Sequence, residues 1–106
     1  MSDASNLTNQ IIDYIYSVGG YAWRASSVGV YDTKTHAYRT APKKGVSDVL
    51  ACWKGKLIAV EIKIGKDRLS DEQAGFLCNI IHAGGIAFTA KDFDNFKEQW
   101  KKEVMV

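Results

Sequence analysis

Hydrophobic and polar residues alternate along the middle of the chain with the two-residue period of a β-strand. One side of the segment 56–64 is aliphatic, and its residues are Ile58, Val60, Ile62 and Ile64. The other side carries Glu61 and Lys63, because successive side chains of a strand point to opposite faces. The segment 46–53 also has strand character, and Lys54-Gly55 separates the two as a turn. The pattern predicts a β-hairpin with an aliphatic core face and a charged opposite face.

The same kind of pattern predicts the remaining elements. Apolar residues at helical spacing indicate helices, and glycine pairs end two of them. The predicted elements are a helix from about Ser5 to Val18, a strand from Tyr21 to Ser26, a helix from Ser70 to about Ala83, a strand from Ile86 to Ala90 and a helix from about Asp92 to Lys102. A strand–helix–strand unit joins parallel strands. The order α-β-β-β-α-β-α therefore predicts an α/β fold with a mixed four-stranded sheet flanked by helices.

Aromatic residues recur at positions that the predicted elements turn inward, and we expect them in the core rather than in a base-stacking platform. They are Tyr21, Trp23, Phe76, Phe88, Phe93, Phe96 and Trp100. The inward stripe of the second helix is expected to carry Leu77, Ile80 and Ile81. The connection from Ser27 to Lys44 has no sustained periodicity, although Val30-Tyr31 and Ala37-Tyr38 can pair as a small hairpin.

The length of the hairpin turn decides which side chains meet. A residue followed by Gly suits a two-residue type I′ turn, in which Trp53 faces Lys56 and Asp48 lies opposite Glu61. A four-residue loop also keeps Asp48 with Glu61 and Lys63. An unbulged three-residue loop moves Asp48 to the other face and removes the cluster.

Two carboxylates at this separation repel each other unless a cation neutralises them. Mg²⁺ and Mn²⁺ prefer oxygen ligands, and the backbone carbonyl of Ile62 can add one to those of Asp48 and Glu61. Lys63 can orient a water molecule, deprotonate it, or stabilise a pentavalent phosphate. The alternative is a solvent-facing hairpin with an ordinary mixed-charge surface.

Composition is consistent with a small globular domain but does not decide its function. A chain of 106 residues with 46% hydrophobic and 25% charged residues is typical of one globular domain, here 1–106. The net charge of +2 is only weakly basic. Cys52 and Cys78 have no metal-binding spacing and are expected to be reduced, buried thiols of a cytoplasmic protein. No apolar run is long enough to predict a membrane span.

Three segments together resemble the PD-(D/E)xK nuclease superfamily, and within it the VRR-Nuc (virus-type replication-repair nuclease) family. They are Gly45-Val-Ser-Asp48-Val, Leu57-Ile-Ala-Val-Glu61-Ile-Lys63 and Gly65-Lys-Asp-Arg-Leu-Ser-Asp-Glu-Gln73. The resemblance implies a divalent-metal-dependent DNA endonuclease with the superfamily's core fold. By the same resemblance Asp48, Glu61 and Lys63 are the catalytic residues, and Gln73 is the glutamine of the following helix.

Stand-alone members of this kind resemble Holliday-junction resolvases, so the resemblance implies a branched DNA substrate. A homodimer is expected because a two-fold dimer matches the two equivalent cleavage positions of a four-way junction. A catalytically silent DNA-binding or assembly module of the same fold is the alternative. A sequence-specific restriction-type enzyme is a third hypothesis, for which the chain is short.

The chain departs from the family pattern at two places. Ser47 stands where the superfamily name implies proline, and the segment 4–10 lacks the acid that family members often carry in the first helix. Asp3 and Asp13 flank that segment without matching the position. The missing acid predicts a site with fewer protein carboxylates. Whether the site binds one or two metal ions is left open.

Gln73 and the basic residues each have two interpretations. Ser70 and Gln73 form a capping-box pattern, but Gln73 also lies on the inward side of its helix, and the family match favours the site. Five basic residues are candidates for DNA contacts, and each is equally compatible with an ordinary surface role: Arg24, Lys43, Lys44, Lys66 and Arg68. For Arg24 that ordinary role is an ion pair with a nearby acid.

Overall fold

The computed structural model describes residues 3–25, 30–32, 37–39 and 45–105, with the backbone alone described for 30–32 and 37–39. Its helices are α1 (Asp3–Ser17), α2 (Asp71–His82) and α3 (Phe93–Gln99), and α3 continues as a π-helical turn over Trp100–Val104. Its strands are β1 (Tyr21–Arg24), β2 (Val30–Asp32), β3 (Ala37–Arg39), β4 (Val49–Trp53), β5 (Lys56–Ile62) and β6 (Ile86–Ala90). Of the helices described, none has the length and apolar character that crossing a membrane requires.

Four strands form one mixed sheet in the order β1-β4-β5-β6. The β1–β4 and β4–β5 pairs are antiparallel and the β5–β6 pair is parallel. The predicted sheet is therefore confirmed, including the parallel pair on either side of α2. The small hairpin is present as well, as the separate antiparallel pair β2–β3.

Helices α1 and α3 pack on one face of the sheet and bury the larger core. Its fully buried side chains include Ile11, Ile15, Val49, Ile58, Val60, Phe96, Trp100 and Val104. Tyr14 of α1 contacts Phe96 and Trp100 edge to face, at centroid distances of 5.5 and 6.1 Å. Edge-to-face pairs add to the burial of apolar area, so these rings fasten α3 and the π-helical turn to α1.

Helix α2 packs on β5 and β6 and covers the other face of the sheet in part. Ala59, Phe76 and Leu77 form a second, smaller buried cluster there. Strand β5 is consequently buried on both faces along its second half, since Ile58 to Ile62 are all buried. The charged side of this strand is thus not the open surface that alternation alone suggests.

The partial cover of this face overturns three predictions of core position. Tyr21 and Trp23 are 61% and 41% exposed, because they lie on the part of β1 that α2 does not reach. Ile81 is 53% exposed, since the inward stripe of α2 runs through Phe76, Leu77 and Ile80 instead. The other aromatic residues predicted to be core are buried or packed against the core. Cys52 and Cys78, also predicted to be buried, are instead exposed free thiols.

Several element boundaries also differ from the predictions. Strand β4 begins at Val49 rather than Val46, and β5 ends at Ile62 rather than Ile64. Strand β1 ends at Arg24, and the predicted end at Ser26 lies outside the described residues. The bend at Asp48 explains the later start of β4, because the amide of Ile62, which a regular ladder would pair with the backbone of Ser47, bonds to the side chain of Asp48.

Candidate metal and nuclease site

The two-residue turn between β4 and β5 sets the register of the hairpin. Lys54 and Gly55 have φ values of 50° and 81°, the positive values that a type I′ turn requires at both central positions. Trp53 pairs with Lys56, and Val49 pairs with Val60. This register confirms the predicted turn, and one more step along it brings Asp48 opposite Glu61.

Asp48 reaches β5 through its side chain. Its Oδ2 accepts a hydrogen bond from the amide of Ile62 at 2.8 Å, and its backbone carbonyl accepts one from Ala25 at 3.0 Å. The amide and carbonyl of one strand residue point to the same side of the strand. The Ile62 carbonyl is therefore directed toward the Asp48 side of β5.

Glu61 lies in the interior rather than on a solvent-facing hairpin. It is only 2% exposed, so the interpretation as an ordinary mixed-charge surface is wrong for this residue. Its Oε1 accepts a long hydrogen bond of 3.5 Å from Nε2 of Gln73. Its Oε2 is buried and has no hydrogen-bond partner among the residues that the structure describes.

Burial raises the pKa of the Glu61 carboxyl group to about 8 from its ordinary value of 4.5. A hydrogen bond with Asp48 and repulsion from its charge raise the pKa further, and the charge of Lys63 lowers it. A carboxylate only accepts hydrogen bonds, so a hydrogen bond between Glu61 and Asp48 requires a proton on one of the two carboxyl groups. Asp48, Glu61 and Lys63 are thus close enough to interact.

Lys63 follows β5 directly and is half-buried. Its backbone amide donates to the carbonyl of Ala90 at 3.0 Å, which continues the pairing with β6 by one residue. The alternation of β5 gives Lys63 the same face as Glu61. The backbone that carries both side chains is therefore fixed by the sheet on either side of the site.

Gln73 takes part both in the capping box of α2 and in a contact with the site, the two roles that its sequence position allows. Its Oε1 accepts from the amide of Ser70 at 3.0 Å, while the hydroxyl of Ser70 accepts from the amide of Gln73 at 3.1 Å. This reciprocal capping box begins α2. The amide nitrogen of the same side chain donates to Glu61. The cap therefore orients the group that contacts the site.

Gly45 begins the segment that carries the family resemblance, but the sequence assigns it no role of its own. Its φ is +76°, and a Cβ atom built there would lie 2.3 Å from the carbonyl oxygen of Glu72 and 2.9 Å from the amide nitrogen of Gln73. Only glycine allows so close an approach at this conformation. The chain that leads to Asp48 is thus packed directly on the first turn of α2. Its position three residues before Asp48 is the one sequence signal for this contact.

Ser47 occupies the motif position at which proline was expected, and it is fully buried. Its hydroxyl donates to the carbonyl of Val49 at 2.9 Å. This local bond satisfies the buried hydroxyl and shapes the bend that carries Asp48. The serine is therefore accommodated without an unpaired polar group.

The basic residues predicted to contact DNA lie in different parts of the chain. Arg24 lies on the α1 face of the sheet, where its guanidinium donates to Ser5 and to Oδ1 of Asn9 at 2.8 Å. Its partners among the described residues are neutral, so no ion pair with an acid occurs in that part of the chain. Lys66 and Arg68 are exposed on the segment between Lys63 and α2, and Lys43 and Lys44 lie outside the described residues.

The arrangement fits a hard divalent cation on chemical grounds. Asp48 and Glu61 supply carboxylate oxygens. One of these oxygens, Oε2 of Glu61, is buried without a described hydrogen-bond partner, and an unpaired charge in such a position is costly. Carboxylates and backbone carbonyls are the oxygen ligands that Mg²⁺ and Mn²⁺ prefer. No cluster of three or more His, Cys, Asp or Glu side chains suited to a metal occurs in the part of the chain that the structure describes.

Comparison with known proteins supports the fold. No family model and no curated protein sequence matches the chain. The solved structure of Hjc, a Holliday junction resolvase from the archaeal hyperthermophile Archaeoglobus fulgidus, is similar with a TM-score of 0.58 and 20% sequence identity. The match covers 83% of this chain and 67% of the resolvase. The chain therefore has the mixed α/β, nuclease-like fold of that resolvase, as the sequence predicts.

Proposed function

We propose that this chain is a divalent-metal-dependent DNA endonuclease that hydrolyses phosphodiester bonds in branched DNA such as Holliday junctions. The observation that carries the proposal is the buried carboxyl group of Glu61 beside Asp48, with an oxygen that no described residue satisfies. The likeness to a Holliday junction resolvase supports it at the level of the fold. Residues 1–106 would form a single nuclease domain, and the motif residues favour the VRR-Nuc family.

The side chains of Asp48 and Glu61 and the carbonyl of Ile62 would hold Mg²⁺ or Mn²⁺. Such an ion, when bound, lowers the pKa of a water ligand and neutralises charge on a phosphate. The two carboxyl groups already lie in contact, and the β4–β5 ladder fixes the backbone beneath them. The metal site would therefore require little rearrangement of the chain.

Lys63 would act on the attacking water or on the charge that develops at the phosphate. It shares a strand face with Glu61 and is near enough to lower the pKa of that carboxyl group. Gln73 would hold Glu61 in the orientation that its capping box fixes. Lys66 and Arg68 would contact the DNA backbone beside the site, and Lys43, Lys44 and Arg24 remain predicted DNA contacts.

Cleavage assays on a panel of labelled DNAs test this proposal. Linear duplex, flap, single-stranded and four-way junction substrates are incubated with Mg²⁺, Mn²⁺ or EDTA. We expect junction cleavage with either metal and none in EDTA, with linear duplex cut more slowly. Metal-independent binding without cleavage of any substrate would instead favour the silent DNA-binding module.

A homodimer is the proposed active form. The net charge of +2 is small for tight binding of duplex by one copy, and a two-fold dimer matches the two equivalent cleavage positions of a four-way junction. Light scattering with and without a junction measures the mass directly. A monomer under both conditions, cutting duplex as fast as junctions, contradicts the dimer and the substrate preference together.

A further inference from the structure

Residues of three strands share the sheet face that carries Glu61. Paired residues of antiparallel strands point to the same face, so two rows follow the row of Asp48 and Glu61. They are Trp23–Leu50–Ala59 and then Tyr21–Cys52–Leu57. At a strand rise of about 3.3 Å per residue, these rows lie roughly 7 and 13 Å from the carboxylates along the sheet.

The outer part of these rows is open and aromatic. Tyr21 and Trp23 are exposed, with ring centroids 5.6 Å apart. Tyr16 of α1 meets Tyr21 edge to face at 5.8 Å and supports it from the side. We call Tyr16, Tyr21 and Trp23 the aromatic ledge. An exposed cluster of large rings is uncommon on a surface that contacts only water.

Among the described residues of these strands, no acid separates the ledge from the carboxylates on this face. The intervening residues Leu50, Cys52, Leu57 and Ala59 are uncharged, and Lys63 lies beyond the carboxylates at the other end of the face. Arg24 and Lys56 belong to the opposite face, so the rings carry the argument. Exposed aromatic rings bind single-stranded nucleic acid because every base has a face that can stack.

We propose that unpaired bases of the DNA substrate stack on Tyr21 and Trp23 while the backbone of the same strand reaches Asp48 and Glu61. At 3.4 Å per stacked nucleotide, the ledge lies roughly two to four nucleotides from the carboxylates. This inference rests on the proposed function and deepens it, since it names unpaired nucleotides as the feature of branched DNA that the site recognises.

Tryptophan fluorescence tests the ledge without any cleavage step. The chain has three tryptophans, of which Trp53 and Trp100 are buried, so quenching by a bound base reports mainly on Trp23. The wild-type protein in EDTA is titrated with a short oligothymidylate and, separately, with a blunt duplex of equal phosphate number. We expect quenching by the single strand at lower concentration than by the duplex.

Two substitutions and a matched control give the energetic test. Tyr21→Ala and Trp23→Ala are each expected to weaken binding of the single strand about tenfold or more. Leu57→Ala is the control, because Leu57 is 41% exposed on the same face, as Trp23 is, and lacks a ring. The control should change binding less than threefold, on the order of a single peripheral apolar contact. Circular dichroism verifies that all variants fold.

Equal effects of Trp23→Ala and Leu57→Ala, or no quenching by the single strand, would overturn the inference. A lower mass of the Tyr21 and Trp23 variants in light scattering, with unchanged DNA binding, would also overturn the inference. It would mean that the rings contact a second copy of the chain. The binding assay in EDTA separates the two proposals. Quenching by the single strand without any cleavage activity would contradict only the proposed function. Cleavage at an unchanged rate after loss of both rings would contradict only the proposed stacking on the ledge.

Discussion

Gln73 donates a hydrogen bond to Glu61 with one end of its amide while the other end caps helix α2. The helix start and the candidate site therefore share a side chain. Because the capping box fixes the position of Gln73, any change in the first turn of α2 reaches the buried carboxyl group. Substitution of Ser70 or of Gln73 can separate the capping role from the contact with Glu61, because only Gln73 takes part in both.

Replacing Gln73 should affect both stability and activity, whereas replacing its capping partner should affect mainly stability. We expect Ser70→Ala to lower the unfolding free energy by about 1 kcal/mol through loss of the cap. Gln73→Ala should cost a similar amount and in addition lower the cleavage rate at least tenfold, on the order of a lost hydrogen bond to a charged group. Urea unfolding and single-turnover cleavage measure the two effects. Equal activity losses in both variants would mean that Gln73 acts only through the helix.

Loss of the Lys63 charge should abolish cleavage and leave DNA binding nearly intact. A group that acts mainly in the transition state contributes more to turnover than to affinity. Lys63→Ala is compared with Lys66→Ala, which removes an exposed lysine three residues later. Junction binding in EDTA and cleavage in Mg²⁺ are measured for both. A large loss of affinity specific to Lys63→Ala would make it a binding residue instead.

The buried acid should make the metal-free protein less stable as pH rises. The pKa of Glu61 is raised to about 8 in the folded state from an ordinary 4.5. The folded state thus binds a proton more tightly than the unfolded state, so its contribution to stability is complete below about 4.5 and is lost as pH rises through about 8. Glu61→Gln removes this titration. The difference between wild-type and variant unfolding free energies, measured in EDTA, should fall across that window; a pH-independent difference would contradict it.

Divalent cations should stabilise the fold in the absence of DNA. A ligand that binds only the folded state at a hundred times its dissociation constant adds about 2.7 kcal/mol. We expect Mg²⁺ and Mn²⁺ to raise the thermal midpoint of the wild type but not of Asp48→Asn or Glu61→Gln. Since the proton competes with the cation, the rise should be larger near pH 8 than at about pH 6. Equal shifts in the wild type and both variants would place the cation elsewhere.

The close approach of Gly45 to α2 predicts an unusually costly substitution. Gly45 and Gly55 both have positive φ, but nothing lies within 4 Å of a Cβ atom at Gly55. Gly55→Ala should therefore cost only the left-handed conformation, roughly 1–2 kcal/mol. Gly45→Ala should cost a further ~1–3 kcal/mol from steric overlap with α2. The difference between the unfolding free energies of the two variants, measured with denaturant, reports the steric overlap at Gly45. Equal losses of stability would show that the chain relaxes around the added methyl group.

Local chemistry made much of the fold predictable. The Lys54-Gly55 pair favours a two-residue turn over the longer loops, because glycine accepts positive φ, and the structure has that turn and its register. The capping box located the start of α2 at Ser70. Both features depend on residues within four positions of each other, which a sequence displays directly.

Features that depend on the cover of the sheet were not predictable. Alternation shows that Tyr21 and Trp23 share a face, but not that α2 stops short of it. The same limit concealed the burial of Glu61, whose side of β5 appears polar in the sequence. The partners of Arg24 lie more than a dozen positions away on α1, and the approach of Gly45 to α2 has a similar long-range origin.

The raised pKa of Glu61 has a consequence for the first encounter with a polyanion. Without a cation at neutral pH, a carboxyl group with a pKa of about 8 keeps its proton, so Glu61 adds no negative charge beside Asp48. A site with two ionised acids would repel an approaching phosphate more strongly than one in which Glu61 is neutral. For the proposed nuclease, the desolvated acid would therefore let a nucleic acid backbone come near before an ion binds.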